Sequence, residues 1–248
     1  MKISAVQCRS VAGDVAGNVE RHLEFLELSI AHGAELVVFP ELSLTGYEPR
    51  LARALAGDRD DSRFGAFQQW SDAKQITICV GFPLETPSRP QIGMIWFRPF
   101  EPRSAYAKQH LHADELPWFV QGDTQYLLND RSHMIAPAIC YESLQPNHAE
   151  SAAALGADVY LVSVAKPAGA LAKGMRHYPA VARRHEMFVI MANAVGQCDD
   201  FVGVGGSAAW NKRGELLAQM NADSEGIIVM DTVRGEAAVH TMLATGHG

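Results

Sequence analysis

A glutamate, a lysine and a cysteine each close an apolar stretch of this chain. Glu41 ends the run Leu36-Val-Val-Phe-Pro-Glu41, Lys108 ends the stretch through Ala105-Tyr-Ala-Lys108, and Cys140 ends the run that begins at Ser132. Open α/β folds place ligands at the edge of the sheet where strands end, so these three side chains can meet at one site. A carboxylate base, a cation and a thiol are together the groups needed to attack a carbonyl or nitrile carbon.

The composition is typical of a globular enzyme. The chain has 248 residues, of which 48% are hydrophobic and 20% charged. These values suit one domain, residues 1–248, with a large core. No apolar run of about 18 residues occurs, so no membrane partner is expected. The first segment turns polar too soon for a signal peptide and is predicted to be a strand.

Charge and cysteine usage exclude other classes of protein. The net charge is −7 and the basic residues are scattered, so nucleic acid is not an expected partner. The four cysteines, Cys8, Cys79, Cys140 and Cys198, lie far apart and form no Cys-x-x-Cys pair. Disulfides and a zinc site are therefore disfavoured, and a reducing, cytoplasmic location is expected.

Apolar periodicity predicts alternating strands and helices, and therefore an α/β layered domain. Asn18 is the expected N-cap of the first helix, and Gly33 its end. The pair Ile92–Phe97 and Ser104–Lys108 is expected to form an antiparallel hairpin. The other predicted strands are Ile3–Gln7, Leu36–Phe39, Ile76–Phe82, Gln125–Leu128, His133–Cys140, Asp158–Val164, Phe188–Ala194, Val202–Trp210 and Ile227–Asp231. The predicted helices are Asn18–Ala31, Phe64–Lys74, Pro146–Leu155 and Met175–Glu186.

Three segments resemble the signature segments of the nitrilase superfamily of carbon–nitrogen hydrolases. They are Pro40–Tyr47, Tyr106–Leu111 and Ala138–Glu142, in the order in which the family carries them. The resemblance implies a four-layer αββα sandwich, in the α/β class, that dimerises into an αββα–αββα assembly. A homodimer or higher homo-oligomer is therefore expected. Further matches run almost to the end of the chain: Glu115 with Trp118, Phe119 and Gly122, then Ala182–Glu186, Asn193 and Gly206–Trp210.

The same resemblance implies a role for each matched residue. Glu41 would be the general base, Lys108 would hold the tetrahedral intermediate, and Cys140 would form a thioester. Glu115 would orient the lysine and the substrate. The backbone N–H of Tyr141 is expected to be the second oxyanion donor, because the residue after a nucleophile is often so placed. A free thiol has a pKa of about 8.5, so the cysteine needs such neighbours to ionise at neutral pH.

Loop aromatics and one serine are expected to line the pocket around Cys140. The sequence Ser163-Val-Ala-Lys166 matches the Ser-x-x-Lys motif of serine hydrolases, in which the serine opens a helix. Here Ser163 ends an apolar run, so a strand end that lines the pocket is the preferred interpretation. Aromatic walls would restrict the acyl group to a small size. The expected wall residues are Tyr47, Trp118, Phe119, Tyr141 and Trp210.

Neither a metal nor an organic cofactor is expected. His110 and His112 are spaced like metal ligands, but no third ligand is evident. Gly203-Val-Gly-Gly206 lacks both the spacing and the following helix of a dinucleotide-binding loop.

The first hypothesis for the function is hydrolysis of a small, non-peptide linear amide, with release of ammonia or an amine. True nitrilases usually carry tryptophan after the cysteine, where this chain has Tyr141, but a nitrilase stays open. An N-carbamoyl amidohydrolase also stays open, although those enzymes place an arginine soon after the cysteine. From a different class, the alternative is a weakly active scaffold whose dimer surface binds a partner protein.

Overall fold

The computed structural model describes residues 1–242, which form two large β-sheets, a small hairpin and flanking helices. The helices are α1 (Val15–Ala31), α2 (Pro49–Leu55), α3 (Gly65–Lys74), α4 (Pro146–Ala154) and α5 (Ala168–His185). The strands are β1 (Lys2–Gln7), β2 (Leu36–Val38), β3 (Thr77–Leu84), β4 (Gln91–Phe97), β5 (Ser104–Ala107), β6 (Leu128–Asp130), β7 (His133–Ile139), β8 (Val159–Val164), β9 (Phe188–Asn193), β10 (Val195–Cys198), β11 (Phe201–Val204), β12 (Ala208–Trp210), β13 (Leu216–Gln219), β14 (Gly226–Asp231) and β15 (Glu236–Thr241).

Each large sheet has parallel strands at its centre and antiparallel strands outside them. The first has the order β15-β14-β1-β2-β3-β4-β5, with β1, β2 and β3 parallel. The second has the order β13-β12-β9-β8-β7-β6, with β7, β8 and β9 parallel. The predicted hairpin is confirmed as the antiparallel pair β4–β5. Among residues 1–242, no helix is both long and apolar enough to cross a bilayer.

The layers follow from which face each strand buries. In β8, Val159 and Leu161 belong to a core shared by both sheets, whereas Tyr160 and Val162 pack against α4 and α5. A second outer core joins α1 and α3 to the first sheet. Strands that are buried on both faces consist of continuous apolar runs, so the sequence predicts them directly. The predicted four-layer αββα sandwich is confirmed.

The first helix begins earlier than predicted and has a different cap. It starts at Val15, and the Asp14 carboxylate accepts a hydrogen bond of 3.0 Å from Gly17 N. Asn18 lies inside the helix and pairs with both backbone groups of Val11, each at 2.8 Å. The prediction of Asn18 as the cap was therefore wrong, because this buried amide holds the preceding loop instead.

Other boundaries also differ from the predictions. Helix α5 begins at Ala168 rather than Met175, since Pro167 precedes its first turn. The predicted strand Val202–Trp210 is divided into β11 and β12 by Gly205 and Gly206, whose φ angles are 55° and 68°. The strand predicted at 125–128 lies at β6 instead. Helix α2 and strands β10, β13 and β15 were not predicted. The outermost strands β13 and β15 are largely exposed, so their apolar signal is weak.

A glycine lets β3 pass close to the loop that follows β2. A Cβ atom at Gly81 would meet Leu42 N and would lie 2.5 Å from the Pro40 carbonyl oxygen. Leu44 N also donates to the Gly81 carbonyl at 3.1 Å. The segment that carries Glu41 is therefore packed directly on this strand, and its position depends on the absence of a side chain at Gly81.

We expect Gly81→Ala to destabilise the fold by about 1–3 kcal/mol, because the added methyl must push backbone atoms apart. Urea unfolding would measure the change. Gly65→Ala is the matched control, since nothing lies within 4 Å of its added Cβ and its φ of −54° suits any residue. That control should leave stability unchanged or raise it by up to about 1 kcal/mol. Equal effects of the two substitutions would contradict the packing explanation.

Candidate active site

A lysine and two glutamates form a buried ionic cluster where strands of the first sheet end. Lys108 follows β5, and its Nζ lies 2.8 Å from Glu41 Oε1 and 2.6 Å from Glu115 Oε1. All three side chains are almost fully buried. Tyr47 donates to Glu115 Oε1 at 3.0 Å, and His112 N donates to Glu115 Oε2 at 2.7 Å. Both carboxylates therefore have fixed positions around the ammonium.

Cys140 follows β7 at a sharp backbone turn. Its φ is 46°, a left-handed value that is uncommon for a residue with a side chain. Its N–H donates to the Ser163 carbonyl at 3.0 Å, and its own carbonyl accepts from Ser143 Oγ at 2.6 Å. The thiol is half-buried and donates to the Ala165 carbonyl at 3.9 Å, and the Glu41 carboxylate is among the charges that act on it. The turn thus presents the sulfur to the ionic cluster of the other sheet.

Burial and charge set the protonation states of this cluster. Burial, with the charge of Glu41, raises the pKa of the Cys140 thiol to about 11. Burial also raises the pKa of Glu41, although the ammonium of Lys108 opposes that rise. For Lys108 itself, burial would lower the pKa, but the charges of Glu41 and Glu115 outweigh it and raise the pKa. Cys140 therefore rests as a thiol and Lys108 as an ammonium.

Cys140 lines a cavity of about 410 Å³ between loops of the two large sheets. Of the expected aromatic walls, Tyr47 and Tyr141 line this cavity. The other three do not: Trp118 is 39% exposed, Phe119 lies in the core between the sheets, and Trp210 packs against Tyr178. The lining residues are Tyr47, His112, Asp114, Glu115, Cys140, Tyr141, Leu144, Gln145, Ala165, Lys166, Pro167, Ala170, Lys173 and Phe201.

Ser163 has a different role from the one predicted. It is fully buried in β8, and its hydroxyl donates to the Phe39 carbonyl at 2.8 Å, which ties the two sheets together. Its carbonyl accepts from Cys140 N, as described above. Ser163 therefore supports the site from behind, and its expected place in the pocket wall was wrong.

Glu142 positions the site, a role that was not predicted from the sequence. One carboxylate oxygen accepts from Ile139 N and from the Tyr106 hydroxyl, both at 2.7 Å, and the other accepts from Gln109 N at 2.6 Å. Ile139 directly precedes Cys140, and Gln109 directly follows Lys108, so Glu142 connects the two segments that carry these residues. Burial raises the pKa of Glu142 to about 7. An acidic residue two positions after the cysteine that ends an apolar run was the available signal.

Lys166, the last residue of the Ser-x-x-Lys pattern, is a second residue of the site that was not predicted from the sequence. It follows β8, is 1% exposed, and places Nζ 3.7 Å from Cys140 Sγ. The pattern drew attention to Ser163, whereas the lysine is the member that reaches the cavity. The signal that could have found it is a lysine directly after an apolar strand end, as for Lys108.

The two histidines that were considered as a metal pair are engaged elsewhere. His112 Nδ1 lies 2.6 Å from Asp114 Oδ1, and His110 packs edge-on against His148. Residues 1–242 hold no group of three or more histidine, cysteine or acidic side chains placed to bind a metal ion.

A sequence model of the family described as carbon-nitrogen hydrolase matches residues 2–238. The chain therefore belongs to the carbon–nitrogen hydrolase family, as the signature segments predicted.

Relatives and solved structures agree with this assignment. An (R)-stereoselective amidase from Pseudomonas sp is 29% identical over 234 residues, covering 90% of this chain and 82% of that protein. A glutamine-dependent NAD(+) synthetase from Thermotoga maritima is 25% identical over 241 residues, but this chain spans only 42% of its length. An amidase from Nesterenkonia sp. AN1 has the same fold, with a TM-score of 0.85 at 23% identity, covering 93% of this chain and 92% of that one.

We expect Glu142→Ala to destabilise the protein by at least about 2 kcal/mol. Two backbone N–H groups, those of Ile139 and Gln109, would lose their acceptor, and each such loss costs about 1–3 kcal/mol. Urea unfolding would measure the change. Glu150→Ala is the matched control because Glu150 forms an exposed pair with Arg184, which is worth about 0–1 kcal/mol. A Glu142→Ala protein as stable as the control would show that these hydrogen bonds do not hold the turn.

Proposed function

We propose that this protein hydrolyses the C–N bond of a small, non-peptide linear amide through a thioester on Cys140. The observation that carries the proposal is the convergence of four side chains: Cys140 and Glu115 line one cavity, and the buried Lys108 pairs with both Glu115 and Glu41. A cavity of about 410 Å³ suits a small substrate. Ammonia or an amine is the first product, and a carboxylic acid is the second.

In the first half of the reaction, Glu41 takes the proton of the Cys140 thiol, and the sulfur attacks the amide carbon. Negative charge then develops on the amide oxygen. An ammonium has three N–H donors, and the two carboxylates of the cluster use two of those of Lys108, which leaves one for this oxygen. The backbone N–H of Tyr141 is the second donor in this proposal. Glu115 keeps Lys108 in place and charged.

In the second half, protonated Glu41 gives its proton to the departing nitrogen as the C–N bond breaks. The thioester then remains on Cys140. Glu41, again a carboxylate, removes a proton from water, and the resulting hydroxide attacks the thioester. The sulfur leaves as the acid forms, and the thiol is restored by the proton that Glu41 holds. Every proton passes through one carboxylate, so no metal or organic cofactor is needed.

The relatives support an amide as the substrate. The Pseudomonas protein is an amidase, and the NAD(+) synthetases use glutamine, whose side chain is itself a small primary amide. Variants of the Nesterenkonia amidase have been seen with butyramide bound, and with the acetamide moiety of fluoroacetamide attached to the active-site cysteine. Short linear amides are therefore the first substrates to test.

Assembly and location are part of the same proposal. The αββα–αββα homodimer implied by the family resemblance is supported by Leu155 at the end of α4, which is 56% exposed. An apolar side chain on an outer helix is suited to contact with a second copy. Four free cysteines within residues 1–242 suit a reducing cytoplasm.

We expect the purified protein to release ammonia from a short aliphatic amide. A panel of acetamide, butyramide, glutamine, matched nitriles and N-carbamoyl amino acids would be assayed by ammonia release, with Cys140→Ala as the inactive control. Faster turnover of nitriles or carbamoyl compounds would replace the amidase proposal by one of the two alternatives within the family. No turnover of any panel member, with intact fold, would favour a scaffold.

We expect Glu41→Gln and Lys108→Arg each to lower kcat/KM by a factor of about 10² or more. Loss of general acid–base catalysis costs about 10²–10⁴, and loss of an oxyanion donor about 10²–10³. A planar guanidinium cannot replace a compact ammonium between two carboxylates. Because Glu41 acts as a base and its pKa is raised, the acidic limb of the wild-type pH profile should lie above pH 4.5.

Exposed residues supply the matched controls for these two variants. Glu20→Gln on α1 and Lys74→Arg at the end of α3 make the same chemical changes in solvent. Both should retain wild-type kcat/KM, and circular dichroism would verify the fold of all four variants. A Lys108→Arg enzyme with wild-type kcat/KM would remove Lys108 from the mechanism.

A further inference from the structure

A second lysine lies against the sulfur of the proposed nucleophile. Lys166 Nζ is 3.7 Å from Cys140 Sγ and 3.5 Å from the Cys140 carbonyl oxygen. The side chain is 1% exposed and forms part of the cavity wall. No carboxylate among residues 1–242 lies within salt-bridge distance of it, in contrast to Lys108, which binds two. The charge of Lys166 therefore acts on the sulfur of Cys140 and is not neutralised by a salt bridge.

The backbone around Lys166 fixes this position. Its N–H donates to Asn193 Oδ1 at 2.8 Å, and its carbonyl accepts from Val204 N at 3.2 Å. The Tyr178 hydroxyl, which lies 2.7 Å from Ser143 Oγ, is among the groups whose charge acts on the ammonium. Strand ends β8 and β9 and hairpin β10–β11 therefore hold the lysine beside the turn of Cys140.

The groups that face the sulfur have opposing effects on its ionisation. Burial and the carboxylates of Glu41 and Glu115 raise the pKa of Cys140, whereas the ammonium groups of Lys166 and Lys108 lower it. Burial would lower the pKa of Lys166, but the charges of the groups around it outweigh burial and raise the pKa. The titratable groups that face Cys140 or Lys166 are Glu41, Tyr47, Lys108, Glu115, His177 and Tyr178.

We propose that Lys166 is a further catalytic residue, whose ammonium contacts Cys140 Sγ and stabilises its thiolate. The proposal rests on Cys140 as the nucleophile of the function proposed above. The thiol proton passes to Glu41, and Lys166 stays protonated and forms no covalent bond. After this transfer two ammonium groups face the thiolate and the Glu115 carboxylate, so the charges in the cavity balance. With Lys108 alone, the ammonium that must meet the oxyanion would also have to stabilise the sulfur.

The test is the pH dependence of Cys140 alkylation by iodoacetamide, followed by intact mass and peptide mapping. An opposite charge at this distance shifts a pKa by about 1–3 units. We therefore expect Lys166→Gln and Lys166→Met to move the midpoint of the profile up by at least about one pH unit. Below the midpoint, the alkylation rate should fall about tenfold or more. Lys166→Arg, which keeps the charge, should lie closer to the wild type.

Lys173→Met is the matched control, because it removes an exposed cation at the rim of the same cavity. It should leave the midpoint unchanged. Lys166→Gln can keep a hydrogen bond to the Cys140 carbonyl, so it separates loss of charge from loss of the turn, and thermal unfolding would verify that it folds. A Lys166→Gln profile that superimposes on the wild type, or an equal shift in Lys173→Met, would overturn the proposal.

This measurement is independent of the proposed substrate. If Cys140 shows the Lys166-dependent profile but no amide is hydrolysed, the proposed function fails and the role of Lys166 stands. If amides are hydrolysed and the alkylation profile does not depend on Lys166, the function stands and the lysine only closes the cavity wall.

Discussion

Burial of one ammonium between two carboxylates is the constraint on which the site depends. Each ion loses several kcal/mol of hydration when it is buried, and a buried pair that loses one partner is destabilised by about 3–5 kcal/mol. Lys108, Glu41 and Glu115 lie in three separate loops. If any one of them leaves the cluster, at least one buried charge loses an ion-pair partner. Tyr47 donates to the same Glu115 oxygen that binds Lys108, and the N–H of Ala165 donates to the second oxygen of Glu41. The groups that we propose for catalysis thus also hold their own loops together.

Strand direction explains how these segments reach one edge. Strand β2 is parallel to both of its neighbours and β7 is parallel to β8, so Glu41 and Cys140 follow the carboxyl ends of parallel strands. Lys108 arrives by a different route. The chain reverses between β3 and β4 and again between β4 and β5, so β5 runs in the same direction as β3. A single reversal would have placed the lysine at the opposite edge, about 20 Å away for a strand of ordinary length. The β4–β5 hairpin is therefore a requirement of the site.

The sequence predicted what depends on strand ends and missed what depends on contacts between loops. Glu41, Lys108 and Cys140 each stop an apolar run, and such runs are legible because their strands are buried on both faces. Lys166 stops a run in the same way, but the motif it completes directed attention to the serine. The role of Glu142 depends on donors that lie about thirty residues away along the chain, at Tyr106 and Gln109. Trp118 and Trp210 were assigned to the pocket by type alone, and the type of an aromatic residue does not give the direction in which its side chain points.

The turn at Cys140 lies at a strand end and also depends on contacts with other loops. A non-glycine residue with positive φ costs about 1–3 kcal/mol and persists only where its surroundings hold it. Here the carbonyl accepts from Ser143 and from Lys166, while the N–H is bound to β8. The hydrogen bonds that maintain the left-handed backbone thus come partly from the residue that faces the sulfur. Conformation and ionisation of the cysteine are coupled through one ammonium, so a substitution of Lys166 acts on both the aim of the sulfur and its charge. Only a replacement that keeps the carbonyl hydrogen bond while removing the charge separates the two.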